Sequence, residues 1–478
     1  MAVKIIFITD QYHIKPEIDY VCKLISSMYH VNFVMADISS IPNTGNVSIA
    51  YCEKRNFSEL PKNCRMRIIP DTASWERYLD RKECPLTLCE YEEICVIRSS
   101  KSMPQFDTTQ SGITTDLDLF CSSFFLVSRY EESYDSVKLD NHGRYAFSNS
   151  IISEKWIDVP LVNCYMQKLI TWIETVYGMR LVQRETAMGA VISYDIDQPF
   201  YYLAFLKQLR EVSSAGFSQN IKECARYFAH LFAIRPDPYD VFDYLMNVEI
   251  KQNIRSTYFI LTNTWGLRQK KYMNILRRLK DYGNELSLHV GNHEITDVPL
   301  IEYEKESLRK LIPICPEGSR IHFLKINVPG SYGMFTQTGF SYDSTLGYAE
   351  REGFRAGICT PFKPYDFEKR TLIDLIEIPL TVMDSTLINY RKYSPKEAYS
   401  KIIKLINAVE SIGGVIVFNR HNHLLTRAHL EWRNVLEKSI DYLIEKGAQF
   451  YTCSELSKKW RGYWKEGETL SQDVSLII

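Results

Sequence analysis

Ser193-Tyr194-Asp195-Ile196-Asp197 and His289-Val290-Gly291-Asn292-His293 are the two stretches that decide how this chain reads. The first closes a run of small and β-branched residues from Gly189 with two carboxylates one residue apart. The second follows the strand-like run Glu285-Leu286-Ser287-Leu288, delivering one imidazole and another four residues on. One carboxylate and two imidazoles make a facial ligand set for a divalent cation with open coordination positions. The remaining carboxylate would stand beside the metal as a base. That is the layout of a hydrolase.

Each motif also has a plain reading. Acids often end strands or cap the next helix, and Pro199 suits a helix start. Histidines four apart can belong to a polar helix face. The order and spacing of the whole set favour the site.

Composition bounds the rest. A chain of 478 residues exceeds one ordinary core, so two domains are expected. Hydrophobic residues at 45% and charged residues at 24% describe a globular protein. Lys+Arg 57 against Asp+Glu 58 leaves a net charge of −1, which excludes the basic footprint of a nucleic-acid binder. The start, Met-Ala-Val-Lys-Ile-Ile-Phe, lacks the pattern of a signal peptide, and no apolar run approaches the roughly 20 residues of a membrane span. The 12 cysteines are scattered without CxxC pairs, so reduced thiols in the cytoplasm are expected. Tyr 31, Phe 23 and Trp 7 make the chain aromatic-rich, material for cores and for stacking on sugar faces.

Residues 1–180 alternate strand-like and helical runs: a strand at 4–9, a helix at 17–28 and a strand at 31–35. Apolar runs follow at 94–99 and 120–128, and helical spacing at 165–177 links the halves. This segment shows no Gly-rich phosphate loop, and its histidines, His13, His30 and His142, read as surface or core residues. From Glu185 onward strand-like runs end in polar residues and alternate with helical ones: 190–194, 256–261, 285–288, 320–324, 373–379 and 414–418. This is the pattern of parallel β with α crossovers, a barrel or a doubly wound sheet, with chemistry at the carboxyl ends of the strands. Asp195, Asp197, His289, Arg320 and His421 all fall at such ends.

Across about residues 185–460 these motifs resemble the NodB-like polysaccharide deacetylases. Besides the two opening stretches they include Ser256-Thr-Tyr-Phe-Ile, Arg320-Ile-His322-Phe-Leu, Tyr342-Asp343-Ser-Thr-Leu-Gly347, Gly353-Phe-Arg-Ala-Gly357, Ile378-Pro-Leu-Thr-Val-Met-Asp384 and Val417-Phe-Asn-Arg-His421-Asn. The chain most resembles a subgroup of Bacteroidota-type bacteria. There the barrel follows an N-terminal domain of unknown function with runs like Leu126-Val-Ser-Arg-Tyr-Glu-Glu132 and Asp140-Asn-His-Gly-Arg-Tyr145. The resemblance implies a distorted (β/α) barrel over 181–478, preceded by a smaller α/β domain over 1–180.

It also implies roles. Asp195 matches the general base. Asp197, His289 and His293 match the ligands of one divalent cation, zinc first, with cobalt, manganese, nickel or iron as alternatives. Arg320 matches the arginine that holds the base, His421 the general acid, and Asp384 the carboxylate that orients His421. His322 and His423 read as structural or pocket-lining residues. The sequence departs from the family in three places. Ile196 separates the two aspartates, Ile321-His322-Phe323 replaces Pro-Tyr-Gly after the arginine, and Arg420 stands where many relatives carry an aromatic residue. Pro329-Gly-Ser-Tyr-Gly333 reads instead as a turn leading into a helix. The implied activity is hydrolysis of N-acetyl groups on a saccharide, releasing acetate. The alternatives are a hydrolase of a non-sugar linear or cyclic amide, and an inactive saccharide-binding relative.

Overall fold

The structure is a computed structural model that describes residues 2–38, 47–83, 86–100, 102–109, 112–134, 137–201, 236–262, 270–291 and 297–472. The first part of the chain supplies strands β1 Val3–Thr9, β2 Val31–Asp37, β3 Ser48–Tyr51, β4 Met66–Ile68, β5 Thr87–Tyr91, β6 Ile94–Arg98, β7 Phe106–Thr109 and β8 Gly112–Thr115. Six of them form one sheet in the order β2-β1-β3-β4-β8-β7, parallel except for the β7–β8 hairpin; β5 and β6 pair separately. In β1 the run Ile5–Thr9 is buried without alternation, as expected of a parallel strand covered on both faces. The expected helices lie at Lys15–Met28 and Leu161–Tyr177, the latter ended by Gly178 at φ +64°. The run at 120–128 lies in a third helix, Leu119–Ser128, all ten residues of which are buried.

The second part supplies β9 Gly189–Ile196, β10 Thr257–Leu261, β11 Glu285–Val290, β12 Gly318–Ile321, β13 Tyr342–Asp343, β14 Tyr365–Asp366, β15 Thr371–Leu372, β16 Ile376–Glu377, β17 Val382–Met383, β18 Val415–His421 and β19 Gln449–Phe450. The sheet order is β16-β13-β12-β11-β10-β9-β18-β17, with β19 also on β9; every pairing is parallel. Its terminal strands, β16 and β17, are joined by residues 378–381 alone. A flat sheet would hold them about 34 Å apart, at roughly 4.8 Å per strand. The five residue steps from Glu377 to Val382 reach at most about 17 Å. The sheet must therefore curl on itself. Among the described residues no pairing joins β16 to β17, so it is a parallel half-barrel, open where a regular barrel closes.

Two strand expectations shorten. The run at 373–379 keeps only β16, and the run at 320–324 stops at Ile321. There the chain turns through His322–Leu324, with Phe323 at φ +63° and Leu324 at φ +53°. The helix after Pro329 begins at Gly330 as expected. The ten described cysteines are free thiols. Among the described residues no helix is long and apolar enough to cross a membrane.

The main apolar core runs through both parts of the chain, beside a small separate cluster around Ile6, Ile8 and Val34 in the first. Charged and polar side chains cross between them as well. Glu132, with a side chain 3% exposed, accepts from Arg129 at 2.7 Å and from Arg355 at 2.6 and 3.0 Å. Glu17, fully buried, takes Arg370 at 2.6 Å and the hydroxyls of Tyr78 and Tyr365. Asn163 accepts from the amide of Cys359 and donates to Thr360 Oγ1. Burial opposes ionisation of Glu132, but Arg355 and Arg129 outweigh it and hold its pKa below the ordinary value. Glu132→Ala leaves the buried Arg355 guanidinium without its counter-charge and leaves Arg129 with Glu131 alone. It should lower stability by about 3–5 kcal/mol, read as a fall in the thermal midpoint. With a depressed folded pKa, the wild-type contribution is present above the unfolded pKa of about 4.3 and is lost as pH falls through the folded value. The variant's deficit should therefore shrink in acid.

Candidate metal centre and active site

Strand alternation builds the centre. In β9, Ser193 and Asp195 share one face while Tyr194 turns to the other, where its ring packs against Tyr258 at 4.8 Å. Asp197 follows the strand on the same side as Asp195. From β12, the fully buried Arg320 reaches across: Nη1 donates to Ser193 Oγ at 2.7 Å and to Asp195 Oδ1 at 3.0 Å. Its Nε and Nη2 are fixed by the carbonyl and hydroxyl of Ser344, and its plane lies 4.2 Å from the Phe259 ring. From β18, Asn419 Nδ2 donates to Asp195 Oδ2 at 2.6 Å. Both carboxylate oxygens are thus tied down. Burial opposes the charge on Asp195, but His289, Arg320 and His421 outweigh it and hold its pKa below the usual carboxylate range.

His289, at the end of β11 and 1% exposed, faces Asp197. Its Nδ1 lies 3.0 Å from the carbonyl of Arg320, an oxygen that can only accept. Nδ1 therefore carries a proton, and in the neutral ring Nε2 presents its lone pair. That lone pair points at Asp197 Oδ1, 3.2 Å away, and Asp195 Oδ2 is 3.8 Å off. Nε2 and Oδ1 are both buried and lack hydrogen-bond partners. Two electron-rich atoms face each other this closely only with a positive charge between them, either a proton or a cation. The two carboxylates raise the pKa of His289 against the effect of burial, the response to the same field.

His322 completes the cluster. One ligand atom each from Asp197, His289 and His322 lie within 4.8 Å of one another, with His322 Nε2 3.7 Å from Asp197 Oδ1. This corrects the expectation that His322 is only structural or pocket-lining. It directly follows the carboxyl end of β12, two residues after Arg320, where alternation returns a side chain to the same face. That period of two was the available signal. It would also have found Asn419, which shares its face of β18 with His421. His293 lies outside the described residues.

On the other side of Asp197, His421 Nδ1 is 2.6 Å from Asp384 Oδ1, and the His421 amide donates to Asp384 Oδ2 at 2.7 Å. Burial opposes protonation, but Asp384 above all, then Asp197 and Asp195, raise its pKa to about 10. His421 Nε2 stands 3.9 Å from Asp197 Oδ2. Neighbouring His423, with ring centroids 5.3 Å apart, is pushed down by burial and by the charge of His421. Arg420 is 1% exposed and lies over Phe418, on the opposite face of β18 from Asn419 and His421, so it does not wall the site.

Residues 5–178 match the model of a family of unknown function, DUF7033. No curated protein matches the chain. Among solved structures, the chain is similar to a protein from Mycobacterium smegmatis assigned to the polysaccharide deacetylases, at 17% identity and TM-score 0.42, covering 58% of this chain and 91% of that one. An allantoinase, PuuE, is similar at 12% identity and TM-score 0.42, with the same coverage. A family 4 acetyl xylan esterase from Clostridium thermocellum, solved with a cobalt ion, is similar at 13% identity and TM-score 0.31, covering 56% of this chain and 89% of that one. At these scores the likenesses carry nothing about activity.

Proposed function

We propose that the chain is a metal-dependent hydrolase that removes N-acetyl groups from a carbohydrate and releases acetate. The observation that carries this reading is the buried, unpartnered pair His289 Nε2 and Asp197 Oδ1, with a fixed carboxylate on one side and a charged imidazole on the other. Asp197, His289 and His322 would hold one divalent cation. Mixed imidazole and carboxylate ligation suits zinc and accommodates cobalt, manganese, nickel or iron. Such a cation, when bound, makes water a better nucleophile and polarises the amide carbonyl.

The protein's own groups divide the proton work. Asp195, ionised and held from both sides by Arg320 and Asn419, is poised to take a proton from the attacking water. Arg320 keeps that carboxylate charged and aimed. His421 is protonated below about pH 10, so it carries the proton that a departing amine requires. Asp384 fixes the ring so that Nε2, not Nδ1, faces the site.

Four outcomes test this. Asp197→Ala and His289→Ala should each lose bound zinc in a metal analysis of the purified protein, whereas Asp195→Asn should retain it and lose at least about 100-fold in acetate release. Retention of stoichiometric metal by both Asp197→Ala and His289→Ala would overturn the ligand set. Because the ligating histidine must be neutral and the pKa of His289 is raised, zinc affinity should fall on acidification, starting above the ordinary histidine value of about 6.5. His421→Ala should lose about 100-fold on an N-acetylated saccharide yet far less on an activated aryl ester, whose leaving group needs no proton. In Asp384→Asn the upper limb of the pH–rate profile should move from near 10 towards about 6.5. Equal losses on amide and ester would remove the acid role from His421.

A further inference from the structure

His322 reaches the centre through an unusual piece of backbone. Phe323 is a bulky residue at φ +63° and Leu324 follows at φ +53°, left-handed conformations that side chains of this size rarely adopt. Such backbone persists where its surroundings over-determine it. The surroundings here belong to the other part of the chain. Arg144 Nη1 donates to the carbonyl of Phe323 at 3.0 Å, and Nη2 donates to Tyr390 Oη at 3.1 Å. Arg144 is itself 5% exposed and locked by Asp140, which accepts from its Nε at 2.8 Å and from the amides of His142 and Arg144. The amide of Gly143, at φ +74°, donates to the carbonyl of Asp140 and closes the turn.

The rings continue the connection. His142 stacks on Phe323 at 5.6 Å and 12°, and Phe323 stacks on His322 at 4.0 Å and 27°. His322 then meets the edge of His289 at 5.1 Å. A continuous chain of contacts therefore runs from the 140–145 turn to the candidate cation ligands. We infer that this turn, through Arg144 and His142, is the positioning element that aims His322 at the cation, so that the part of the chain without catalytic residues sets the geometry of the centre. The inference rests on the reading of that centre given above. Arg144 and His142 touch neither cation nor substrate; they act through Phe323.

Cobalt(II) binding to the full-length protein tests it, with affinity from competition against a chromophoric chelator and ligand geometry from the visible spectrum. Arg144→Ala should weaken binding by about 10–100-fold, the range for groups that orient metal ligands, and should change the cobalt spectrum. Arg144→Lys cannot serve both acceptors with one fork and should recover only part of the loss. Should Arg144→Ala fail to fold, His142→Ala carries the test. That ring is exposed, so its loss should leave the thermal midpoint unchanged while weakening cobalt several-fold. Unchanged affinity and spectrum in both variants, in a protein whose cobalt depends on His289 and His322, would overturn the positioning role and leave the hydrolase reading intact. Binding that depends on His289 but not on His322 would also overturn it. A wild-type protein that binds no cobalt would overturn both.

Discussion

Asp195 sits almost wholly out of water as an anion, and the rest of the centre is arranged around that fact. Burying an unpaired carboxylate costs several kcal/mol, so a group in this position protonates unless charges and donors are built in beside it. Arg320 and Asn419 come from strands on opposite sides of β9 and leave neither oxygen free to rotate. Arg320 is itself held by Ser344, so the position of Asp195 depends on the register of β12 against β13. The same carbonyl of Arg320 fixes the tautomer of His289. One residue thus holds the charge of Asp195 and sets the direction of the His289 Nε2 lone pair.

The centre repeats one simple device. Asp195 with Asp197, Arg320 with His322 and Asn419 with His421 are each pairs two residues apart at the carboxyl end of a parallel strand. In each pair the first member is part of the network around Asp195, and the second is Asp197 or faces it. Curling the sheet brings the three pairs to one point. The half-barrel therefore needs no long loop to assemble the groups described here.

Much of this was legible before any coordinates. Strands β9, β10 and β18 open as continuous apolar runs before their polar ends, as strands buried on both faces do, whereas β11 alternates Leu286 and Leu288 with Ser287 and His289. The pairing of Arg320 with Asp195, and of Asp384 with His421, followed from the resemblance. The two-residue strands β13, β16 and β17 offer no period to read, and their pairing is imposed by the neighbours. Alternation from Arg320 already puts His322 on the face of the site; what the sequence did not show is the turn that follows it. Local preference gives no cause for a phenylalanine to turn left-handed, so a reading of residues 320–324 as plain strand has nothing to correct it. The group that holds the Phe323 carbonyl comes from about 180 positions earlier, Arg144. Arg420, adjacent to His421 in sequence, lies on the other face of the strand, as the period of two requires.

The helix Cys453–Gln472 lies against the helix Lys15–Met28, and Trp464, 1% exposed, stacks on Tyr20 with ring centroids 6.4 Å apart. Arg184 meets Glu466 in the same region. The first sheet therefore cannot finish its core from its own residues. During synthesis, the apolar side of the Lys15–Met28 helix is made more than 400 residues before the tryptophan that covers it. At roughly 5–20 residues per second of elongation, that is an interval of tens of seconds. For that time the nascent chain carries an exposed apolar surface, a natural site for chaperone capture. Folding vectorially from the N-terminus does not suffice for this molecule; its two ends must meet.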